Sequence, residues 1–166
     1  MDEISLSPNT HDPLASRLGY LLRRASLVMM ADLGASLADL GLRPVEGSIL
    51  MLVGATPGCI QSDVGKILGI KRANMAPLIA GLHAKGLVAK APVDGRSLAL
   101  SLTDEGARLR ERVETTMDSH EARFDALLGD SDRTQLHAAL VRIAQQGQDG
   151  PDGVATDGRR GRSPGA

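Results

Sequence analysis

Six basic side chains, Lys66, Lys71, Arg72, Lys85, Lys90 and Arg96, fall within residues 61–100 against only Asp63 and Asp94, a net +4 in a chain whose overall charge is −1. Residues 101–130 reverse the sign, with eight acidic and four basic side chains. A charge run is ordinarily a solvated face, but a sign reversal at a boundary between lobes concentrates cation where a polyanion can lie. The types within the cluster sharpen the chemistry. Arginine and asparagine, here Arg72 and Asn74, match the major-groove edges of guanine and adenine, and Lys71 suits a phosphate. Arg96 follows Asp94-Gly95, a strong turn signal, which puts a permanent cation at the tip of a narrow ribbon, able to enter a minor groove. Asp94 alone would repel phosphate; its expected role is to accept hydrogen bonds from Arg96 or the turn backbone and aim the arginine.

Positioning these groups falls to a recognisable series of elements. Gln61 to Leu68 has helical spacing, with Val64, Ile67 and Leu68 on one apolar face, and Gly69 stops it. Met75, Leu78, Ile79 and Leu82 form an i, i+3, i+4, i+7 stripe that ends at Gly86. Taking that stripe as buried, a 100° step per residue turns Ala73, Pro77, Ala80 and Ala84 outward, a face small enough to approach base edges closely. Alternating patterns across Leu87–Pro92 and Ser97–Leu102 then predict a two-stranded hairpin, and Thr103 can cap a following helix. Two short helices, a hairpin and a helix start describe a winged helix-turn-helix, a DNA-binding unit. The candidate DNA contacts are Gln61, Ser62, Lys71, Arg72, Ala73, Asn74, Ala76, Pro77, Asp94 and Arg96. Proline is tolerated in a first helical turn, so Asn74 can be the cap, with Pro77 three residues inside.

Ala84-Lys-Gly-Leu-Val88, Asp94-Gly-Arg96 and Leu102-Thr-Asp-Glu-Gly106, in this order and spacing, resemble the MarR family of bacterial transcriptional regulators, over about residues 14–145. The resemblance implies that Asp94 and Arg96 belong to the wing, that Leu102-Thr-x-x-Gly106 opens the next helix, and that the reading helix starts nearer Lys71. The start at Lys71 and the cap at Asn74 both stand on the sequence alone. Repression relieved by a small molecule bound between dimer helices and winged lobe is also implied.

Outside this unit the chain reads as helical. Leu14, Leu18, Leu21, Leu22, Ala25, Val28, Met29 and Leu33 recur at heptad-like spacing, with a bend expected at Gly34. Gly41-Leu-Arg-Pro44 ends that helix, and Pro44 opens a buried one. A charged helix runs from Thr103 to about Leu128, and a last one follows Ser131. These helices carry more apolar surface than one small lobe can cover, so a two-fold dimer is expected, with reading helices about 34 Å apart on a pseudo-palindromic operator. The organisation is a flexible 1–12, a dimerisation helix 13–43, a winged lobe 44–103, dimerisation helices 104–146 and a disordered tail 147–166. The fold class is mainly α with a small β-hairpin wing.

Other classes find little support. Tyr20 and Phe124 are the only aromatic residues, too few to stack single-stranded bases. Nucleophile-elbow, phosphate-loop, zinc-protease and dinucleotide motifs are lacking, so no enzyme and no cofactor are expected. Cys59, the single cysteine, excludes an internal disulfide and reads as a quiet packed thiol. No stretch spans a membrane and the N-terminus lacks a signal peptide's basic flank, so a cytoplasmic protein is expected. His120 with Glu114, Asp118 and Glu121 keeps open a metal-sensing regulator, although one histidine among charged helix residues is more often solvated, and no metal ligand is assigned. A winged module that binds proteins is the other alternative.

Leu18-Gly-Tyr-Leu-Leu-Arg-Arg-Ala25 resembles the corresponding helix of MarR-type regulators of phenylpropenoid and aromatic-acid catabolism. The implied effector is an aromatic acid or its coenzyme A thioester. Arg17, Arg23 and Arg24 near Tyr20 offer forks for carboxylate or phosphate, and Met29 and Met51 an adaptable apolar wall.

Overall fold

The computed structural model describes residues 12–94 and 97–146, with only the backbone of Asp94 and Ser97. Residues 1–11 of the flexible segment expected over 1–12, Arg96, expected at the wing tip, and the disordered tail expected at 147–166 lie outside the described residues. The chain divides into two compact units, Met1–Phe124 and Asp125–Ala166. In order come α1 (Leu18–Ala38), α2 (Pro44–Ala55), β1 (Cys59–Ile60), α3 (Gln61–Ile67), α4 (Arg72–Ala84), β2 (Val88–Asp94), β3 (Ser97–Leu102) and α5 (Asp104–Asp125). The second unit holds α6 (Asp130–Gln146). No helix among the described residues is long and apolar enough to cross a membrane.

Local chemistry sets most of these boundaries. Gly69 (φ 64°) and Gly86 (φ 71°) stop α3 and α4 in left-handed geometry. Each is followed by a paired closure: Ile70 N–H to Gly65 O (2.8 Å) after α3, and Leu87 N–H to Leu82 O (3.0 Å) after α4. Such caps satisfy carbonyls that a helix end leaves free, and a Cβ would strain both positions. α1 runs unbroken through Gly34 to Ala38, where a bend was expected. Pro44 is the first residue of α2, and Glu46 accepts the Arg43 N–H at 2.9 Å, closing the N-terminal turn.

The sheet has three antiparallel strands in the order β1-β3-β2, where the sequence pointed to two. Cys59 pairs with Leu100 and Ile60 with Ala99. A strand of two residues has no periodicity to read, so only the long-range pairing reveals it. Pro92 sits in β2 opposite Leu98, on an edge strand where its missing N–H costs least. Cys59 is half-buried. Burial pushes its thiol pKa upward, aided by the Asp63 charge and opposed by a backbone hydrogen bond, so the thiol form is favoured over the thiolate.

The core of the first unit is built around Leu37, Ile49, Leu50, Val53, Val64, Met75, Ile79, Leu82, Val88, Leu100 and Val113. Ile67, expected on the apolar face of α3, is instead 65% exposed. The buried direction of this short helix is centred on Val64, Gly65 and Leu68, because a Cβ on Gly65 would already come within 3.0 Å of Met75. At 100° per residue Ile67 points well off that axis.

His120 also departs from expectation. It is 2% exposed, its Nδ1 lies 2.9 Å from Asp32 of α1, and its ring meets Phe124 edge-on at 5.0 Å. Arg123 reaches the same Asp32 carboxylate and donates to Ser36. The carboxylates suspected beside His120 lie elsewhere: Glu114 pairs with Arg110, while Asp118 and Glu121 are exposed. Among the described residues no three His, Cys, Asp or Glu side chains gather around a possible metal position. His120 thus ties α5 to α1, a burial that a partner 88 residues away makes affordable.

Candidate nucleic-acid interface

α3 and α4 are joined by Leu68-Gly-Ile-Lys71, and α4 packs Met75, Ile79 and Leu82 inward. Lys71 is the N-cap and Arg72 the first helical residue, so the helix begins at the earlier of the two positions the sequence allowed. Lys71 O accepts from Asn74 N (2.8 Å) and Met75 N (3.1 Å), which makes Asn74 a third helical residue rather than a cap. Pro77 consequently lies inside the helix. Tertiary packing of the apolar stripe outweighs the local preference of proline for a first turn.

The side chains of Lys71, Arg72, Ala73, Asn74, Ala76, Pro77, Ala80 and Ala84 are exposed, so the small outward face is present as expected. Ser62 is exposed and Gln61 half-buried at the start of α3. Between α3, the start of α4 and the wing lies an open concavity of about 670 Å³. Gln61, Ser62, Lys66, Lys71, Arg72 and Ala76 line it, over apolar surface from Ile60, Ile70 and Leu98. Lys66, Ile70 and Leu98 were not picked out from the sequence as site residues, and only Lys66, by its charge, carried a signal. The lining combines cationic side chains with apolar surface, the mix of groups that contact with a sugar-phosphate backbone requires. Lys66 pairs with Asp63 at 3.3 Å on an exposed surface, a contact weak enough to exchange for phosphate.

Lys85 does not belong to this set. It donates to Gly41 O at 3.1 Å and to Glu46 at 3.0 Å, clamping the C-terminus of α4 to the start of α2. Glu46 is buried; burial alone would raise its pKa, but the Arg43 backbone hydrogen bond, the Lys85 and Arg43 side chains and the Lys85 charge together lower it from 4.5. A depressed carboxylate adds stability that is fully present above its unfolded pKa and is lost as pH falls through the folded value. We expect the stability difference between wild type and Glu46→Gln, measured by urea unfolding, to shrink as pH drops below 4.5. A difference that stays constant with pH would remove the charge from this explanation.

Of the residues expected to meet an effector, Arg24 lies over the Tyr20 ring, 6.0 Å from its centroid. Arg17 caps α1 and is exposed with Arg23 and Arg24, while Tyr20, Met29 and Met51 are half-buried, Met51 against the core. The concavity contains none of them.

Residues 40–97 match the profile of the MarR family. Over 128 residues the chain is 31% identical to the HTH-type transcriptional repressor Rv2887 of Mycobacterium tuberculosis, covering 76% of this chain and 92% of that one. Among solved structures it is similar to the transcriptional repressor CouR bound to a 23-mer DNA duplex, with TM-score 0.74 and 33% identity over 81% of this chain and 99% of the other. CouR bound to p-coumaroyl-CoA gives TM-score 0.76 and 32% identity over 83% and 99%. Rv2887 in complex with salicylic acid gives TM-score 0.62 and 28% identity over 77% and 96%.

Proposed function

Because this chain belongs to the MarR family of transcriptional regulators, we propose that it is a ligand-responsive, DNA-binding repressor. It binds a pseudo-palindromic operator as a homodimer in the cytoplasm and leaves it when a small aromatic acid or aromatic acyl-coenzyme A thioester binds. The observation that carries the reading is α4: a helix with a small, exposed outer face, two exposed cations at its start and a cationic concavity beside it. CouR, similar over 81% of this chain, has been captured on a DNA duplex. The effector class is supported by CouR with p-coumaroyl-CoA and Rv2887 with salicylic acid, together with the arginines flanking Tyr20.

A second copy accounts for exposed apolar surface in both units. Leu18, Leu21, Leu27 and Val28 of α1 are exposed, as are Leu136, Leu140, Val141 and Ile143 of α6. Apolar rows of this kind are costly in water and are relieved by an isologous interface. Two copies carry two reading helices, which select half-sites one helical turn apart. An effector acts by preferring the arrangement of those helices that misfits the operator, and only its differential affinity for the two arrangements counts.

The test is a titration of the purified protein onto duplex from its own upstream region and onto a scrambled duplex of equal composition, at roughly 50 to 200 mM salt. Tighter binding to the first, with both weakened by salt, supports the reading; equal affinity for the two removes the operator. Release of bound duplex by p-coumaroyl-CoA but not by salicylate, or the reverse, then separates thioester from acid. Arg72→Ala is expected to cost about 1 to 3 kcal/mol and to relax selectivity at one base pair per half-site. If affinity falls equally for every sequence, Arg72 is a phosphate contact.

A further inference from the structure

α4 carries a proline at a position where a helix normally makes a hydrogen bond. The helix starts at Arg72, so Pro77 is its sixth residue, and its ring nitrogen has no hydrogen to donate to the carbonyl of Ala73 one turn earlier. That carbonyl is therefore released from the ladder. Ala73, Ala76, Pro77 and Ala80 are all exposed, opposite the buried Met75, Ile79 and Leu82, so the released oxygen belongs to the outward face. Carbonyls on the solvent side of a helix tilt away from its axis, toward whatever lies outside. Methyl-sized side chains at positions 73, 76 and 80 leave room for a partner to approach the backbone.

The rest of this face is rich in donors and poor in acceptors. Lys71 and Arg72 donate only, and α4 contains no aspartate or glutamate. Apart from the Asn74 side-chain oxygen, the Ala73 carbonyl is the acceptor this stretch offers. In the major groove the groups that require an acceptor are the exocyclic amino groups, N4 of cytosine and N6 of adenine. Resting on the DNA-binding reading above, we propose that the Ala73 carbonyl, released by Pro77, accepts a hydrogen bond from an exocyclic base amino group and so sets sequence preference at one base pair per half-site. Pro77 is a positioning residue for that preference, acting through the backbone of Ala73. Side-chain truncation at Ala73 cannot reveal this contact, because the acceptor is main chain.

Pro77→Ala and Pro77→Ser each restore the N–H, which closes the helical bond and withdraws the acceptor. The wild-type protein is first used to enrich a duplex from a random library, and affinities of wild type and both variants are measured for every single-base-pair change. At the position where they diverge, the adenine is replaced by purine, or the cytosine by 2-pyrimidinone, each lacking only the amino group. Wild type is expected to lose about 3- to 10-fold per half-site on that replacement, the range of one net hydrogen bond. Both variants are expected to bind the amino and amino-free duplexes equally and to melt no lower than wild type. Retained discrimination in the variants overturns the inference. A loss spread evenly over all positions also overturns it, because Pro77 then shapes the helix without exposing an acceptor. If wild type enriches no duplex, the DNA-binding reading fails and takes this inference with it; enrichment followed by retained discrimination sinks the inference alone.

Discussion

Gly106→Ala is expected to destabilise the first unit by about 3 kcal/mol or more, which for a chain of this size lowers the melting temperature by roughly 10 °C. A Cβ at Gly106 would sit 2.0 Å from the Leu87 carbonyl oxygen and 2.9 Å from its carbon, both backbone atoms with no rotamer to yield. The first turn of α5 must then move off the start of the wing. That movement breaks a local network in which Thr103 N–H donates to Leu87 O (3.1 Å), the Thr103 hydroxyl donates to Gly86 O (2.6 Å), and Gly106 N–H donates back to Thr103 Oγ1 (3.0 Å). The motif Leu102-Thr-Asp-Glu-Gly106 is therefore a weld between wing and helix: threonine caps, and glycine permits contact. Gly81→Ala is the control, since a Cβ there meets nothing within 4 Å; it should be neutral or stabilise α4 by up to about 1 kcal/mol. Thermal melts of the two variants that coincide with wild type would remove the close contact from the account.

The second large effect is on binding. Arg96 follows the end of β2 and precedes β3, and as a wing-tip cation it is proposed to enter the minor groove. Arg96→Ala removes one such contact from each copy of a homodimer. At about 1 to 3 kcal/mol per arginine, operator affinity should fall at least roughly 30-fold, and the dependence of log affinity on log salt should flatten by about two for the pair. The melting temperature should stay within the small range of a surface substitution. Preserved affinity with an unchanged salt slope would show that the wing does not touch DNA, leaving α4 to bind alone.

What was legible in the sequence was what neighbouring residues decide among themselves. The apolar stripe of α4, the glycine stops at Gly69 and Gly86, Pro44 opening α2, the strands β2 and β3 and the Thr103 cap all rest on patterns within a few residues, and the structure bears each of them out. So does the small outer face of α4, which follows from the stripe by geometry alone.

Tertiary structure alone decided the rest, because there the energy comes from partners far along the chain. β1 exists only as the complement of β3, some forty residues later. Glu46 is held by Lys85, 39 residues away, and His120 by Asp32, 88 residues away, which turns one apparent DNA cation and one apparent surface histidine into ties between helices. The start of α4 was undecided between Lys71 and Asn74 because proline's local preference and the burial of Met75, Ile79 and Leu82 pull in different directions. Only the packed core weighs those terms against each other, and it places Pro77 inside the helix, where it frees a carbonyl on the surface that faces outward.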